Sequence, residues 1–320
     1  MCMKQGKRKH FWRKLFLWVA AILVVADLGG AAYFYHVAIV RSPKTFIKNR
    51  PISKRDRLYR EEKWFQDVKK QHWTIMAAND RDRLVADYVP AAQPTNKTVL
   101  ICHGFMNRKE SMGAYAAMFH QLGYNVLLPD ARAHGQSEGH LIGYGWPERR
   151  DQQRWINRII KHNGQDSRIV MFGVSMGGAT TMMTSGTKLP HQVKAFIEDC
   201  GYDTVMNEIT HEARDLYHLP VAVAWPLEKT MSVYNRILNG FYLGEASAVE
   251  SLHHNRRPML FIHGAKDTFV PTSMVYQNYQ ATRGPKELWV VKGAQHAKSF
   301  QTQPQQYRRH IQQFLNRYVH

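Results

Sequence analysis

The chain has 320 residues, of which 44% are apolar, enough for one large domain with an insertion and an N-terminal extension. Its net charge of +19 is uneven, because residues 1–60 alone hold 14 Lys+Arg against 2 Asp+Glu. No helix-turn-helix, zinc-finger or RNA-recognition pattern accompanies that charge, so no nucleic-acid partner is expected. Three cysteines (Cys2, Cys102, Cys200) make neither a disulfide framework nor a metal-ligand spacing, and neither a metal nor a cofactor is expected.

The first 14 residues form a basic tail carrying Lys4, Lys7, Arg8, Lys9, Arg13 and Lys14. An apolar run, Leu15–Ala26, follows; after Asp27-Leu28-Gly29-Gly30 the apolar character resumes from Ala31 to Val40. A cleaved signal needs a basic start, about 7–15 apolar residues and a small-residue cleavage site, which Gly30-Ala31-Ala32 offers. An uncleaved anchor needs about 20 mostly apolar residues, which 15–40 supplies at the expense of one central carboxyl. Apolar character persists through Tyr33-Phe34-Tyr35, and Trp12, Trp18, Tyr33 and Tyr35 suit two interfacial belts, so a transmembrane signal-anchor is the favoured reading. A short basic tail resists crossing while a long domain crosses largely regardless of charge, which places the N-terminus inside and the domain outside. Residues 41–72 form a second basic stretch (Lys44, Lys48, Arg50, Lys54, Arg55, Arg57, Arg60), suited to anionic lipid or wall polymer, or simply to solvent.

From residue 73 to 320 the pattern alternates. Trp73–Ala78 and Arg83–Val89 read as an opening hairpin, and strands follow at Thr98–Cys102, Asn125–Leu128, Arg168–Phe172, Val193–Ile197, Met259–Ile262 and Glu287–Val291. Helical segments between most of them predict an α/β fold, a mainly parallel sheet with helices on both faces. Tyr307, Ile311, Phe314, Leu315 and Tyr318 give the last helix an ordinary core stripe. The longest break in the alternation is 201–257, rich in aromatic and aliphatic residues.

Gly173-Val174-Ser175-Met176-Gly177 follows one of these strands and precedes a small-residue helix, as a nucleophile elbow requires. A serine hydroxyl needs a base, itself oriented by an acid. Asp267, in the loop after Met259–Ile262, and His296, in the loop after Glu287–Val291, stand in the order serine, acid, histidine. Asp199, in the loop just past the end of the intervening strand, is the runner-up acid. His134 and His263 read as structural loop residues. Cys102 and Cys200 read as small buried residues.

These motifs, with His103-Gly104-Phe105 after the Thr98–Cys102 strand and the D-x-R-x-H-G-x-S string Asp130–Ser137, resemble the α/β-hydrolases over roughly Trp73 to the C-terminus. The similarity is greatest to serine-nucleophile members of the serine aminopeptidase-like and monoacylglycerol-lipase-like kind. The resemblance implies Ser175 as nucleophile, Asp267 as acid, His296 as base, and an oxyanion hole from the backbone N–H groups of Phe105 and Met176. It also implies that the insertion 201–257 is a helical cap over the site. The expected activity is hydrolysis of a small-molecule carboxylic ester or acyl substrate. Glu208, Glu212 and Asp215 leave open an amine-gripping, aminopeptidase-type alternative, and a binding protein with an idle triad is a third.

Overall fold

The computed structural model describes residues 2–42 and 53–319. The strands are β1 (Gln71–Met76), β2 (Arg83–Val89), β3 (Lys97–Cys102), β4 (Asn125–Pro129), β5 (Arg168–Val174), β6 (Val193–Asp199), β7 (Met259–Gly264) and β8 (Lys286–Val291). Among the described residues they form one sheet in the order β1-β2-β4-β3-β5-β6-β7-β8. The hairpin β1–β2 and the β2–β4 pair are antiparallel, and all other pairings are parallel. β6 and β7 run further than expected at their C-terminal ends. This takes Asp199 and His263 out of the loops where the sequence put them and into the strands.

The helices are α1 (Cys2–Ala38), α2 (Tyr59–Asp67), α3 (Gly113–Gln121), α4 (Glu148–Asn163), α5 (Met176–Ser185), α6 (Val205–Tyr217), α7 (Val221–Asn239), α8 (Ala248–Leu252), α9 (Ser273–Ala281), α10 (Ser299–Thr302) and α11 (Pro304–Tyr318). Strand side chains alternate between two cores, with one irregularity at the start of the β5–β6 pairing. Leu100, Leu127, Met171, Phe196 and Phe261 face the core shared with α4, α5 and the cap. Val99, Val126, Phe172, Ile197 and Ile262 face the core shared with α2, α3 and α11. Both faces are therefore apolar, as a covered parallel sheet demands.

The cap is a helical hairpin, α6 and α7. The Thr204 side chain accepts the Asn207 amide at the start of α6, His218 ends that helix in the left-handed region (φ 51°), and Pro220 opens the next. α1, at 37 residues about 55 Å long, lies against this cap with its C-terminal turns. Asp27, Ala31, Tyr35 and Ile39 recur every fourth residue, and the last three are buried. Thr230 Oγ1 donates to Asp27 Oδ2 (2.6 Å), Tyr234 OH to the Leu28 carbonyl (3.1 Å), and Tyr35 OH to Asn235 Oδ1 (3.4 Å).

Just beyond the helix, Val40 bridges Leu141, and Arg41 donates to the carbonyls of Ser137 (2.8 Å) and Gly135 (2.7 Å). Of the expected span 15–40, the part from Asp27 on thus packs one side against the folded domain and leaves Leu28 and Tyr33 exposed. Lys44, Lys48 and Arg50 of the second basic stretch lie outside the described residues. Arg57, further along that stretch, donates to the Thr302 carbonyl at 3.0 Å.

Candidate active site

The parallel strands β3, β5, β7 and β8 all deliver their C-terminal loops to one rim of the sheet, and the chain reverses its direction of travel across the sheet between β3 and β5. Ser175 stands at that switch point, between the end of β5 and the start of α5, with φ 57° and ψ −121°. A non-glycine residue in this region is strained, and the neighbouring glycines show what holds it there. A Cβ on Gly173 would lie 2.0 Å from the Gly177 carbonyl oxygen, and one on Gly177 would lie 2.1 Å from that of Cys102. The elbow closes only because both side chains are missing.

His296 reaches Ser175 from the loop after β8, with Nε2 2.9 Å from the serine Oγ. Its Nδ1 is 2.8 Å from Oδ2 of Asp267. With Nδ1–H donated to the carboxylate, Nε2 is left to accept the serine proton. The other oxygen of Asp267 accepts the amides of Phe269 and Val270, both at 3.0 Å. Gly264 lets the two loops meet, since a Cβ there would lie 2.5 Å from the Ala294 carbonyl. Burial pushes the Asp267 carboxyl up, but hydrogen bonds from His263 and His296 outweigh it and hold the group below its usual range.

Asp199 does not reach His296 by a hydrogen bond. Its oxygens accept from Ser299 Oγ (3.0 Å) and Tyr307 OH (2.9 Å), and burial raises it to about 6. Cys200, Asp267 and His296 bring potential ligand atoms within 4.8 Å of one another. Burial holds the Cys200 thiol well above its ordinary value, however, so it stays protonated and a poor ligand.

Phe105 and Met176 border the same cavity as Ser175. Met176 opens α5, where a helix has amides without intrahelical acceptors. The Phe105 loop is braced by two buried histidines: His103 of the loop motif itself, and His134, a structural loop residue as expected, whose partners the sequence did not reveal. His103 Nε2 accepts the Ala131 amide (2.9 Å), and its Nδ1 donates to the Gly104 carbonyl (2.8 Å). His134 Nε2 accepts the Met106 amide (3.1 Å), and its Nδ1 donates to the Arg132 carbonyl (2.9 Å). Both rings must be neutral to accept an N–H; burial lowers both, His134 to about 3.

The rest of the Asp130–Ser137 string ties that loop to the sheet. Asp130 accepts the amides of Lys109 and Gln136 (both 2.8 Å), and Arg132 forms a two-pronged pair with Asp151 (2.9 and 2.7 Å). At Gly135 (φ 48°) a Cβ would fall 2.2 Å from the Asp130 carboxylate.

A family model described as the α/β hydrolase fold matches residues 97–220, which hold the Phe105 loop, the Asp130–Ser137 string and the elbow. The chain has the α/β-hydrolase fold. It is 29% identical over 307 residues to the uncharacterized protein YqkD of Bacillus subtilis, covering 95% of this chain and 97% of that one. It is 25% identical over 196 residues to the putative esterase YitV of the same organism, 58% of this chain and 74% of that one. The Pyrococcus furiosus esterase Pf2001 shares its fold at a TM-score of 0.66, with 20% identity, over 88% of this chain and all of that one.

In this α/β-hydrolase fold a narrow cavity, with about 100 Å³ of room for water-sized occupants, runs from Ser175 beneath the cap. Its walls are mostly apolar: Tyr144, Leu227 and Met231 from the domain and cap, and Phe34, Val37 and Ala38 from α1. Phe34 and the other α1 residues are site features that the sequence reading assigned to a membrane span. Glu208 and Glu212 also line the cavity, each with one buried oxygen that has no partner, whereas Asp215 points outward and is exposed. Burial raises Glu208 well above its ordinary value and Glu212 to about 7.

Proposed function

We propose that this protein is a membrane-anchored serine hydrolase that cleaves carboxylic esters, with its catalytic domain outside the membrane. The observation that carries the reading is the hydrogen-bonded row Ser175–His296–Asp267 at the head of an apolar cavity. Ser175 Oγ attacks the ester carbonyl as His296 Nε2 takes its proton, and the imidazolium is stabilised by Asp267. The Met176 and Phe105 amides hold the oxyanion of the tetrahedral intermediate. His296 then protonates the leaving alcohol, activates a water against the acyl-enzyme, and returns its proton to Ser175 as the acid departs. The similarity to YitV and the fold shared with Pf2001 support an esterase over other hydrolase chemistry.

The N-terminal helix supports the anchor. Its stretch Lys9–Ala38 is long and apolar enough to cross a membrane, and little of its most apolar part is buried against the domain. A cut at Gly30-Ala31-Ala32 would fall between Asp27 and Tyr35, both bonded to α7, so the packing favours an uncleaved helix.

A second reading is favoured by the unpartnered carboxyls of Glu208 and Glu212, which suit a substrate with an amino group, as in a peptidase-type hydrolase. A fluorophosphonate probe tests the serine assignment: the wild type is labelled and Ser175→Ala is not. Equal labelling of both proteins, or of neither, overturns it, the latter leaving a binding protein on a hydrolase scaffold. Acyl esters of rising chain length beside aminoacyl amides separate the two substrate readings. Protease treatment of intact cells tests the topology, since a domain protected from protease places it inside.

A further inference from the structure

The free part of α1 is too short to cross a membrane alone. Basic residues end at Lys14, and the helix is clamped to the cap from Asp27, through Thr230, onward. The stretch between, Leu15–Ala26, rises only about 18 Å, against a hydrocarbon core of about 30 Å. The missing length must come from the clamped turns, and these carry the cap with them into the bilayer.

The cap is surfaced for that position. The face of α7 turned away from the cavity presents Trp225 (61% exposed), Val233 and Ile237 (72% exposed). The charges on that face are Lys229 and Arg236, and the one acidic residue of α7, Glu228, is buried on the inner side. An apolar face with an aromatic anchor and long basic side chains belongs at a lipid headgroup boundary. Lys229 Nζ lies 5.9 Å from the Trp225 ring, within one turn of the Thr230 clamp. The cavity opens next to this surface. Leu216 and Tyr217 line it and are also exposed, and the Tyr217 ring packs edge-on against Phe34 of α1 at 4.9 Å.

We infer that the outer face of α7 and the end of α6 are immersed in the leaflet next to the domain, and that the cavity takes the acyl chain of a membrane lipid ester directly from that leaflet along α1. This rests on the anchor and esterase readings above. The last turns of α1 then act as a wall of the substrate channel as well as a tether. Phe34, Val37 and Ala38 set its width.

The test uses the full chain in vesicles of phosphatidylcholine and phosphatidylglycerol, with an environment-sensitive fluorophore on single introduced cysteines. Labels at Ile237→Cys and Trp225→Cys are expected to be quenched by lipids brominated on the acyl chain, as is Val24→Cys on the free part of α1. A label at Arg317→Cys, on α11, is expected to be quenched only by aqueous iodide. Quenching of Val24→Cys with Ile237→Cys and Trp225→Cys open to iodide sinks the inference and leaves the anchor standing; iodide quenching at all three sinks the anchor as well. In turnover, the Trp225→Ser/Ile237→Ser double variant is expected to lose at least about tenfold on a fluorogenic diacyl lipid in those vesicles, with p-nitrophenyl butyrate in water unaffected. An equal loss on both substrates, or on neither, overturns uptake from the leaflet. Absence of turnover on both substrates in the wild type overturns the esterase reading, and the quenching result then decides the membrane contact alone.

Discussion

Nε2 of His263 stands 3.4 Å from Oδ2 of Asp267, the same oxygen that lies 2.8 Å from Nδ1 of His296. His263 Nε2 is also 2.9 Å from the Val270 carbonyl, which fixes its ring, and the residue is fully buried at the end of β7. It is a positioning residue that acts through Asp267. Burial alone would lower its pKa, but Asp267, Glu198 and the Val270 carbonyl together raise it. Removing this donor with His263→Phe lets Asp267 take a proton at higher pH. The acid limb of the kcat/KM profile should therefore move upward. His263→Gln, which can still donate, should restore much of the original profile. A lower melting temperature with an unmoved acid limb would show that His263 only fills space.

The two candidate acids are separable by the same kind of measurement. Asp267→Asn leaves the shape intact but removes the charge that orients and stabilises the imidazolium, and kcat should fall about 10⁴-fold. Asp199 is engaged with Ser299 and Tyr307, and its contact to the elbow is its backbone carbonyl, which accepts the Ser175 amide at 2.8 Å. Asp199→Asn keeps that carbonyl, so the change should appear in the melting temperature and leave kcat within a few-fold. The reverse ranking would reassign the acid.

The parts of this site legible in the sequence are those encoded locally. The elbow is five residues with a steric reason for each glycine, and the strand exits that carry Asp267 and His296 announce themselves as apolar runs ending in polar loops. What stayed illegible is non-local. His103 read only as part of the Phe105 loop motif and His134 only as a structural loop residue, because their work is to accept amides of loops 28 residues away, at Ala131 and Met106. The apolar run at the N-terminus had the composition of a bilayer span, and composition does not tell lipid from protein as the apolar neighbour. One signal was available: Asp27, Ala31 and Tyr35 put a polar or small group every fourth residue on one side of the run, which suits a helix partner better than lipid. The depth of the strands was also underestimated, since His263 and Asp199 are polar and were read as loop, although a sheet rim tolerates polar residues that find partners.

The brace under the Phe105 loop predicts an acid limit. His134 is held at about 3 in the folded chain against an ordinary value of 6.5, because burial disfavours its charged form; the neutral ring's Nε2 accepts the Met106 amide. The folded-state value is depressed, so the unfolded chain binds the proton first as pH falls below 6.5. The contribution of His134 is complete above 6.5 and is lost progressively toward 3, at about 1.4 kcal/mol per pH unit. Burial shifts His103 in the same direction, which steepens the loss. Urea midpoints measured downward from pH 6.5 should fall in the wild type and fall less steeply in His134→Asn, which starts from a lower stability. Parallel slopes would mean that the ring is not buried neutral.

Glu212 offers a pH-dependent reading of the substrate itself. It lines the cavity, one of its oxygens has no partner, and burial, with smaller contributions from the charges of Asp215 and Asp267, raises it to about 7. Below pH 7 the wall at Glu212 is neutral and compatible with an acyl chain; above it a carboxylate faces the chain without a counter-charge. For a neutral acyl ester KM should therefore rise as pH passes through 7, by up to about tenfold per unit of coupling, with kcat following the His296–Asp267 pair alone. For a substrate carrying an ammonium group the sign reverses and KM falls. Glu212→Gln should flatten the step in either case while preserving the volume of the side chain. A wild-type KM that is already flat through pH 7 for both substrate types would take Glu212 off the substrate-facing wall.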